Sequence, residues 1–317
     1  MMHADLCEIA QPRISVITPS LNHGRFLKAT IDSIASQSYR NFEHIVMDGG
    51  STDETVEILR QYPHIHWVSE PDSGVVSAYQ KALAMVRGDY VIQCCVSDGF
   101  LDQHWFRKCA EVLDKDMETS LVWGLPQYMS EEGDLLNVAY QEFFNDPSPQ
   151  KQEFLALWLA NGFFLPEGNY CVRADIIKRY FPDERSESHF QVHCHLGFMY
   201  HFMVQGYCPY FIPAVANFGR LHDGQRGERF KSIEKNAKAV YLRLVKQYRR
   251  AVLGGTAAYQ FRNGRSEVMH EISSGELWSW KKKMWRHQLL RSRVLRIDAF
   301  TLAQKVAKKI REVCSRA

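Results

Sequence analysis

Apolar runs and helix-like periodic stretches alternate along the first third of the chain. Residues 13–18 are mostly apolar and β-branched and stop at Pro19, which predicts a buried strand rather than the start of a helix. Apolar side chains then recur at helical spacing from Phe26 to about Ser38, and residues 42–47 form a second strand-like run. The chain is therefore expected to begin as strand, helix, strand.

The alternation continues to about residue 115. Asp48-Gly49-Gly50 ends the second strand, and Ser51-Thr52-Asp53-Glu54 suits the first turn of a helix that reaches Tyr62. The later elements of this region are predicted as a strand at 65–69, a helix at 75–86 and a strand at 89–96. We therefore predict an α/β fold with a doubly wound, mostly parallel sheet that binds ligands at the carboxyl ends of its strands.

The pattern is less regular after Ser120. Strand-like stretches are predicted near 121–128, 135–143 and 207–215, and helical ones near 153–160, 198–204 and 232–253. Residues 254–275 are polar and contain glycines, so this segment is expected to link the body to a C-terminal tail.

The composition is that of a globular protein. With 317 residues, 45% of them hydrophobic and 24% charged, the chain can bury the core of one large domain or two small ones, which disfavours disorder. Its 8 cysteines form no C-x-x-C pair, which favours a reducing compartment over a zinc ribbon or a disulfide scaffold. No secretion signal is recognised, and no apolar run approaches the roughly 18 residues of a membrane span. We therefore expect a cytoplasmic location.

Charge is distributed unevenly between the body and the tail. Residues 278–317 carry 12 basic and 2 acidic side chains, whereas residues 1–277 carry 27 basic and 34 acidic ones. Tryptophans interleave with the basic residues of the tail, as is typical of an interfacial helix on an anionic membrane surface. Packing of its apolar stripes on the body, or a dimer contact, explains the tail equally well. Nucleic-acid binding is disfavoured because no known module is recognised.

Polar chemistry is concentrated at the ends of the first four predicted strands. These ends are Thr18–Asn22, Asp48–Ser51, Glu70–Gly74 and Ser97–Gly99. In a parallel sheet they converge on one cleft, where carboxylates can accept hydrogen bonds from a base or ribose and a metal or cation can face a diphosphate. Each acid taken alone is explained equally well as a turn or cap residue.

Three ordered motifs carry a resemblance to a known family. They are ISVITPSLNHGRFLKATIDSIASQSYRNFEHIVMDGGSTDET, then SEPDSGVVSAYQKALAMVRGDYVIQ, and the SDG that follows the fourth strand. Together they resemble the nucleotide-sugar-binding half of the family 2 inverting glycosyltransferases, which have the GT-A fold. The resemblance is strong from residue 13 to about 110 and weaker to about 226. It implies a GT-A domain over 1–226, with a nucleotide-sugar-binding half (13–115) and an acceptor half (116–226), and then a helical C-terminal region over 227–317.

The resemblance also assigns residues to the donor. Thr18, Pro19 and Ser20 are implied to wrap the nucleoside, and Asp48 and Asp72 to hydrogen-bond the base or ribose. The loop from Phe218 to Arg226 is similar to the family's Arg-x-His loop, which closes over the donor diphosphate. The full implied donor-binding set is Thr18, Pro19, Ser20, Asn22, Asp48, Asp72, Lys81, Ser97, Asp98, Arg220, His222 and Arg226.

Asp98 matches the last acid of the family's Asp-x-Asp metal motif and is implied to be catalytic. Here the motif reads Val96-Ser97-Asp98, so the first carboxylate is absent, and Gly99 replaces a further acid common in the family. Mg²⁺ or Mn²⁺ is implied as cofactor, with Asp98 and His222 as candidate ligands and the metal dependence left open.

His195 stands where the family carries its general base, an Asp at the start of a helix. An imidazole can take the proton of an acceptor hydroxyl at neutral pH. The alternatives are a structural or surface histidine at 195, with Asp183 and Glu184 as reserve bases. A zinc site of His193, Cys194, His195 and His201 has loose spacing.

The resemblance implies an enzyme of hexosyltransferase type. Its expected donor is a UDP-sugar, and its expected acceptor is a hydroxyl of a glycan or lipid-linked molecule in bacterial polysaccharide or lipopolysaccharide biosynthesis. The expected location is the inner face of the cytoplasmic membrane. Because two catalytic positions depart from the family pattern, a non-catalytic protein that binds nucleotide sugars or glycans stays as the alternative.

Overall fold

A mixed sheet with helices on both faces forms the centre of the computed structural model. The structure describes residues 13–139, 170–186, 193–223 and 231–271, and the single positions 154, 155, 158, 159, 162, 165, 276, 279 and 282. The strands are β1 (Ile14–Ser20), β2 (Phe42–Asp48), β3 (His66–Ser69), β4 (Tyr90–Gln93), β5 (Gly99–Phe100), β6 (Thr119–Met129), β7 (Leu135–Val138), β8 (Tyr170–Arg173), β9 (Cys208–Arg220), β10 (Gln260–Arg262) and β11 (Val268–Glu271). The helices are α1 (Gly24–Ala35), α2 (Thr55–Leu59), α3 (Val75–Met85), α4 (Trp105–Lys115), α5 (Ala174–Tyr180), α6 (Cys194–Val204) and α7 (Lys231–Leu253).

The strand order of the main sheet is β3-β2-β1-β4-β8-β6-β9-β5, with β7 paired to β6. The neighbours from β3 to β4 are all parallel. Next to them, β8 runs antiparallel to both β4 and β6, while β6 and β9 are parallel and β5 is antiparallel to β9. The predicted fold class, a doubly wound and mostly parallel mixed sheet, is confirmed.

Alternation of side chains along the buried strands places the core on both faces of the sheet. On β1, Ile14 and Val16 pack with α4, while Ile17 belongs to the larger cluster formed with α3, α6 and α7. A third cluster joins α1 and α2 to Val46 of β2. Strands that are covered on both faces have mostly apolar sequences. This is why β1, β2 and β4 could be predicted from the sequence.

The observed elements differ from the predicted ones at three places. The fourth strand ends at Gln93 rather than Val96, because the chain turns there and Ser97 adopts a φ of 87°. Helix α2 is shorter than predicted. Residues 254–275, predicted as a link, contain the β10–β11 hairpin, and Tyr259 and Phe261 are each 2% exposed. These two aromatic residues supply the apolar contacts that the polar composition concealed. Of the predicted helix at 153–160, the structure describes residues 154, 155, 158 and 159, which are helical, whereas nearly all of the tail lies outside the described residues.

Candidate active site

The carboxyl ends of β1, β2 and β3 lie side by side. Ser20 pairs with Asp48 across β1 and β2, and Asp48 pairs with Ser69 across β2 and β3. The backbone N–H of Gly49 donates to the Ser20 carbonyl (2.9 Å), and that of Glu70 donates to the Asp48 carbonyl (3.0 Å). The convergence of polar strand ends expected from the sequence is therefore present for these three strands.

Asp48 is fully buried at the centre of this edge. Its carboxylate accepts hydrogen bonds from the Ser51 N–H (2.9 Å), the Ser69 hydroxyl (2.6 Å) and the Ser51 hydroxyl. Several hydrogen bonds to one buried carboxylate hold its loop in one shape. Asp48 thus organises the end of β2.

Asn22 and Asp72 brace the neighbouring strand ends. Asn22 has a φ of 54°, and its Oδ1 accepts the Thr52 N–H (2.8 Å). Asp72 accepts the Gly74 N–H at Oδ1 (2.8 Å). The other oxygen of Asp72 would lie 2.9 Å from a Cβ at Gly49, so Asp72 packs directly against the chain beside Asp48, and a larger residue at position 49 would require Asp72 to shift. Asp48 and Asp72 are thus brought together as expected.

Ser20 has a buried hydroxyl with no hydrogen-bond partner among the described residues, at 6% exposure. An unpaired buried hydroxyl costs about 1–3 kcal/mol, so a ligand that supplies a partner gains correspondingly. Pro19, next to it, is partly exposed. Thr18 is fully buried, with its hydroxyl 2.9 Å from Nε2 of His44, so its side chain lies within the sheet.

His44 makes the fold sensitive to acid. Burial, with a smaller contribution from nearby His64, lowers the pKa of His44 to about 3, against 6.5 for an exposed histidine. Between these two pH values the unfolded chain binds a proton that the folded chain does not, so stability falls as the pH falls. We expect a loss of about 2 kcal/mol in unfolding free energy from pH 7 to pH 5. In His44→Gln this loss is reduced, as measured by urea melts at both pH values.

An exposed histidine provides the control for this experiment. His104, at the start of α4, is exposed, and His104→Gln should keep the acid sensitivity of the parent. Equal pH dependence of the unfolding free energy in the parent and in His44→Gln would contradict the assignment of the acid sensitivity to His44.

Lys81 of α3 forms an ion pair with Glu70, with 2.6 Å between Nζ and Oε1. The Lys81 side chain is 34% exposed and the Glu70 side chain 52%. The pair lies beside the end of β3, since Glu70 directly follows that strand.

Asp98 follows a tight turn that α1 holds in place. The Thr30 hydroxyl donates to the Asp98 carbonyl (2.8 Å) and accepts the Ser97 N–H (3.2 Å). Because β5 pairs with β9, Oδ1 of Asp98 accepts the backbone N–H of Arg220 (3.2 Å). The structure thus brings together the acidic turn and the Arg-x-His loop, which are far apart in sequence.

The surroundings of Val96 and Gly99 explain both departures from the acidic motif. Val96 is 7% exposed and packs with Phe26 and Leu27 of α1. A Cβ at Gly99 would lie 2.5 Å from the Ser33 hydroxyl and 2.6 Å from the Phe218 ring. An acid at position 96 would be surrounded by apolar groups, and one at position 99 does not fit.

Arg220 and His222 are largely buried, each at 8% exposure. Arg220 Nη1 donates to the carbonyls of Ser130 (3.2 Å) and Glu131 (3.0 Å), and its guanidinium lies 5.4 Å from the Phe26 ring centre. The His222 ring also packs on Phe26, at 4.6 Å between centres, and its Nδ1 lies 2.9 Å from the Asp223 carbonyl. Arg226 lies outside the described residues.

Arg25 and Glu131 brace this loop and were not found by sequence reasoning. Arg25 pairs with Glu131 (2.6 Å) and donates to the Asp223 carbonyl (3.0 Å). The second oxygen of Glu131 accepts the Asp223 N–H (3.1 Å). Arg25 is half-exposed, at 50%, so it adds a cation to the rim of the cleft.

His195 lies in the first turn of α6 and is only 4% exposed, so it is not a surface histidine. Its Nδ1 is 3.1 Å from the Tyr170 hydroxyl, which donates to Oε1 of Gln93 (2.5 Å). The rings of Tyr79 and Phe181 pack edge-on against the imidazole, at 5.3 and 5.8 Å between centres. Sequence reasoning missed Tyr170 and Gln93, since neither stands in a recognised motif.

The alternatives for the base and for zinc are placed as follows. Asp183 accepts the Arg185 N–H (3.0 Å) and behaves as a turn residue. Glu184 accepts the Ser73 hydroxyl (2.7 Å), beside the Asp72 loop. Within the described ranges, no group of three or more His, Cys, Asp or Glu side chains could hold a metal ion. The zinc site suggested for His193, Cys194, His195 and His201 is therefore wrong. Any ion at Asp98 needs the donor diphosphate and water for most of its ligands.

Comparison with known proteins adds a family match. The model of Glycosyl transferase family 2 matches residues 15–181. Chondroitin synthase of Escherichia coli is 28% identical over 133 residues, which are 41% of this chain and 19% of that protein. An uncharacterized glycosyltransferase of Mycobacterium tuberculosis (strain H37Rv) is 35% identical over 116 residues, 36% of this chain and 44% of that protein. The match thus spans less than half the length of these curated relatives.

Two solved structures share the fold. TarS 1–349 of S. aureus, in complex with UDP-GlcNAc, has a TM-score of 0.51 at 15% identity and covers 75% of this chain and 72% of its own. The mannosyltransferase PcManGT of Pyrobaculum calidifontis, in complex with GDP-Man and Mn²⁺, has a TM-score of 0.52 at 17% identity. The matched region covers 78% of this chain and 75% of PcManGT. At these identities the likeness concerns the fold alone.

Proposed function

The chain belongs to glycosyl transferase family 2, and on that basis we propose that it is an inverting hexosyltransferase. It moves a sugar from a nucleotide-diphosphate sugar to a hydroxyl of a glycan or lipid-linked acceptor in bacterial surface polysaccharide or lipopolysaccharide biosynthesis. The observation that carries the proposal is the convergence of Asp48 and Asp72 at one sheet edge, together with the bond between Asp98 and the Arg220 backbone. A UDP-sugar is the proposed donor.

The proposed reaction is one in-line displacement. The acceptor oxygen forms a bond to the anomeric carbon while the bond from that carbon to the diphosphate oxygen breaks, and its electron pair leaves with the diphosphate. The acceptor proton goes to His195, and the single displacement inverts the anomeric centre. The buried position of His195 supports this role because water is kept from the imidazole.

Cations at the loop are proposed to stabilise the leaving group. The cations are Arg220, in the loop beside Asp98, and the half-exposed Arg25, and His222 offers a further hydrogen-bonding group. When bound, Mg²⁺ or Mn²⁺ would neutralise part of the diphosphate charge, with Asp98 and His222 as its candidate protein ligands.

A thermal-shift panel tests the donor site. UDP, GDP, CDP, dTDP and their common sugars are each added with Mn²⁺, Mg²⁺ or chelator. We expect a UDP compound to raise the melting temperature, since a ligand at 100 times its Kd stabilises the native state by about 2.7 kcal/mol. The metal-dependent part of the shift should disappear in Asp98→Asn, which keeps an acceptor oxygen for the Arg220 N–H.

The control for this panel is Asp175→Asn, since Asp175 is an exposed acid on α5. It should behave as the parent. No shift with any nucleotide under any condition would contradict the donor-site proposal.

One observation favours a second candidate function, a non-catalytic binding protein. The chain lacks the first acid of the motif; position 96 lies in an apolar cluster, and a Cβ at position 99 would clash with Ser33 and Phe218. Turnover of a nucleotide sugar by the full-length protein, lost in Asp98→Asn, would eliminate this candidate. Binding without turnover would favour it.

The basic tail is proposed to bring the enzyme to an anionic membrane surface, where a lipid-linked acceptor would lie. Among the described residues, no helix is long and apolar enough to cross a membrane. We expect the full chain to co-sediment with phosphatidylglycerol vesicles and a chain without 278–317 to stay in solution, whereas neither binds phosphatidylcholine. Equal binding by both chains would contradict the role of the tail, and binding that persists in 1 M salt would contradict its electrostatic basis.

A further inference from the structure

A chain of hydrogen bonds connects three separate elements beneath the cleft. Gln93 is the last residue of β4, Tyr170 the first of β8, and His195 lies in the first turn of α6. Gln93 and Tyr170 are each 1% exposed and His195 4%. The bonds are 2.5 Å from the Tyr170 hydroxyl to Oε1 of Gln93 and 3.1 Å from that hydroxyl to Nδ1 of His195.

The distances fix the direction of these hydrogen bonds. The amide oxygen of Gln93 faces Tyr170, and the separation of 2.5 Å lies at the short end of the O–H···O range and below that of N–H···O bonds. The one proton of the tyrosine hydroxyl therefore goes to Gln93. The hydroxyl oxygen is left to accept from His195, which requires the imidazole hydrogen on Nδ1 and the lone pair on Nε2.

We propose that Tyr170 and Gln93 are positioning residues that hold His195 in the tautomer whose Nε2 can accept a proton. The link to catalysis rests on the proposed function, in which the acceptor proton goes to His195. As that proton binds Nε2, the Nδ1–H stays on the Tyr170 oxygen, so the cation formed keeps its hydrogen bond. Tyr79 and Phe181 fix the plane of the ring, since both pack edge-on against it.

The unpaired amide nitrogen of Gln93 supports this role. Nε2 is buried and has no hydrogen-bond partner among the described residues, which costs stability. Methionine has almost the same shape and would remove that cost. The polar residue at this position is explained if the other amide atom, Oε1, is needed to take the tyrosine proton.

The tautomer can be measured directly in the full-length protein. Long-range ¹H–¹⁵N spectra of protein labelled with ¹⁵N-histidine distinguish protonated from unprotonated ring nitrogens, and His195→Asn identifies the signals of His195. We expect the parent to carry hydrogen on Nδ1. In Gln93→Met the tyrosine proton loses Oε1 as its acceptor, and Nδ1 of His195 lies within hydrogen-bond distance of the hydroxyl, so the hydrogen of His195 should move to Nε2.

Tyr170→Phe removes the hydroxyl altogether, so the fraction of His195 that carries hydrogen on Nδ1 should fall. Tyr241→Phe is the control, because Tyr241 is an equally buried tyrosine whose hydroxyl pairs with Trp158 instead. This control should keep the parent spectrum. Where nucleotide-sugar turnover is measured, kcat should fall about tenfold or more in both test variants, with the donor KM little changed.

A parent signal with hydrogen on Nε2, or the Nδ1 form persisting in Gln93→Met, would overturn the proposal. If Tyr170→Phe fails to fold, Gln93→Met decides alone, since its side chain is close to isosteric. The spectra do not depend on activity. A confirmed tautomer combined with a fully active His195→Asn would reject the proposed base and leave the hydrogen-bond chain as a structural feature.

Discussion

Replacing His195 by asparagine is expected to lower kcat for sugar transfer by about 10²–10⁴-fold, the usual contribution of a general base. The asparagine amide can still donate toward the Tyr170 oxygen, as Nδ1 does, but it has no counterpart of Nε2. Donor binding should therefore persist, and the thermal shift with the nucleotide sugar should equal that of the parent. Steady-state turnover of the full-length protein measures the loss.

Two variants control this experiment. His201 is an exposed histidine on the same helix, and His201→Asn should retain full activity. Glu184 lies near the Asp72 loop, and Glu184→Gln should reduce kcat far less than His195→Asn. Full activity in His195→Asn, together with a loss of kcat in Glu184→Gln, would indicate that Glu184 is the general base.

Replacing Gly206 by alanine is expected to lower the unfolding free energy by more than about 4 kcal/mol. Gly206 ends α6 with a φ of 76°, and a Cβ there would lie 1.8 Å from the Gln260 carbonyl oxygen. The Gly206 carbonyl also accepts the Arg262 N–H (3.0 Å), so the β10–β11 hairpin is fastened at this glycine. The collision cannot be relieved by rotating a side chain. The position of the Cβ is fixed by the backbone of residue 206, and the Gln260 carbonyl is itself part of the backbone.

Gly255→Ala separates the clash from the strain of the backbone angle. Gly255 has a φ of 71°, but nothing lies within 4 Å of the position of its Cβ. Its replacement should cost only about 1–2 kcal/mol, the penalty of a left-handed residue. Chemical denaturation of both variants measures the difference, and equal costs would show that the hairpin moves aside freely.

The nucleotide-sugar-binding half could be predicted from the sequence because its signals are local. Strands β1, β2 and β4 contain short, mostly apolar runs, and glycines and acids mark where strands end. Once a parallel sheet is assumed, the convergence of Asp48 and Asp72 follows from geometry alone.

The remainder of the site depends on contacts that no local pattern contains. Tyr170 and Gln93 are 77 residues apart, and Arg25 and Glu131 are 106 apart. The detailed orientation of side chains is also hidden: Thr18 faces His44 inside the sheet, and Asn22 braces Thr52. A strand end predicts that polar groups gather, but not which of them face the cleft.

Gly99 has a consequence for how this sequence can change. Its contact with the Phe218 ring means that an acid at position 99 is tolerated only after Phe218 has become smaller. Phe218 in turn lies 5.6 Å, ring centre to guanidinium carbon, from Arg220, so shrinking it disturbs a buried cation first. Positions 99 and 218 are therefore energetically coupled, and the effects of substitutions at the two positions on the unfolding free energy are expected to be non-additive in a double-mutant cycle.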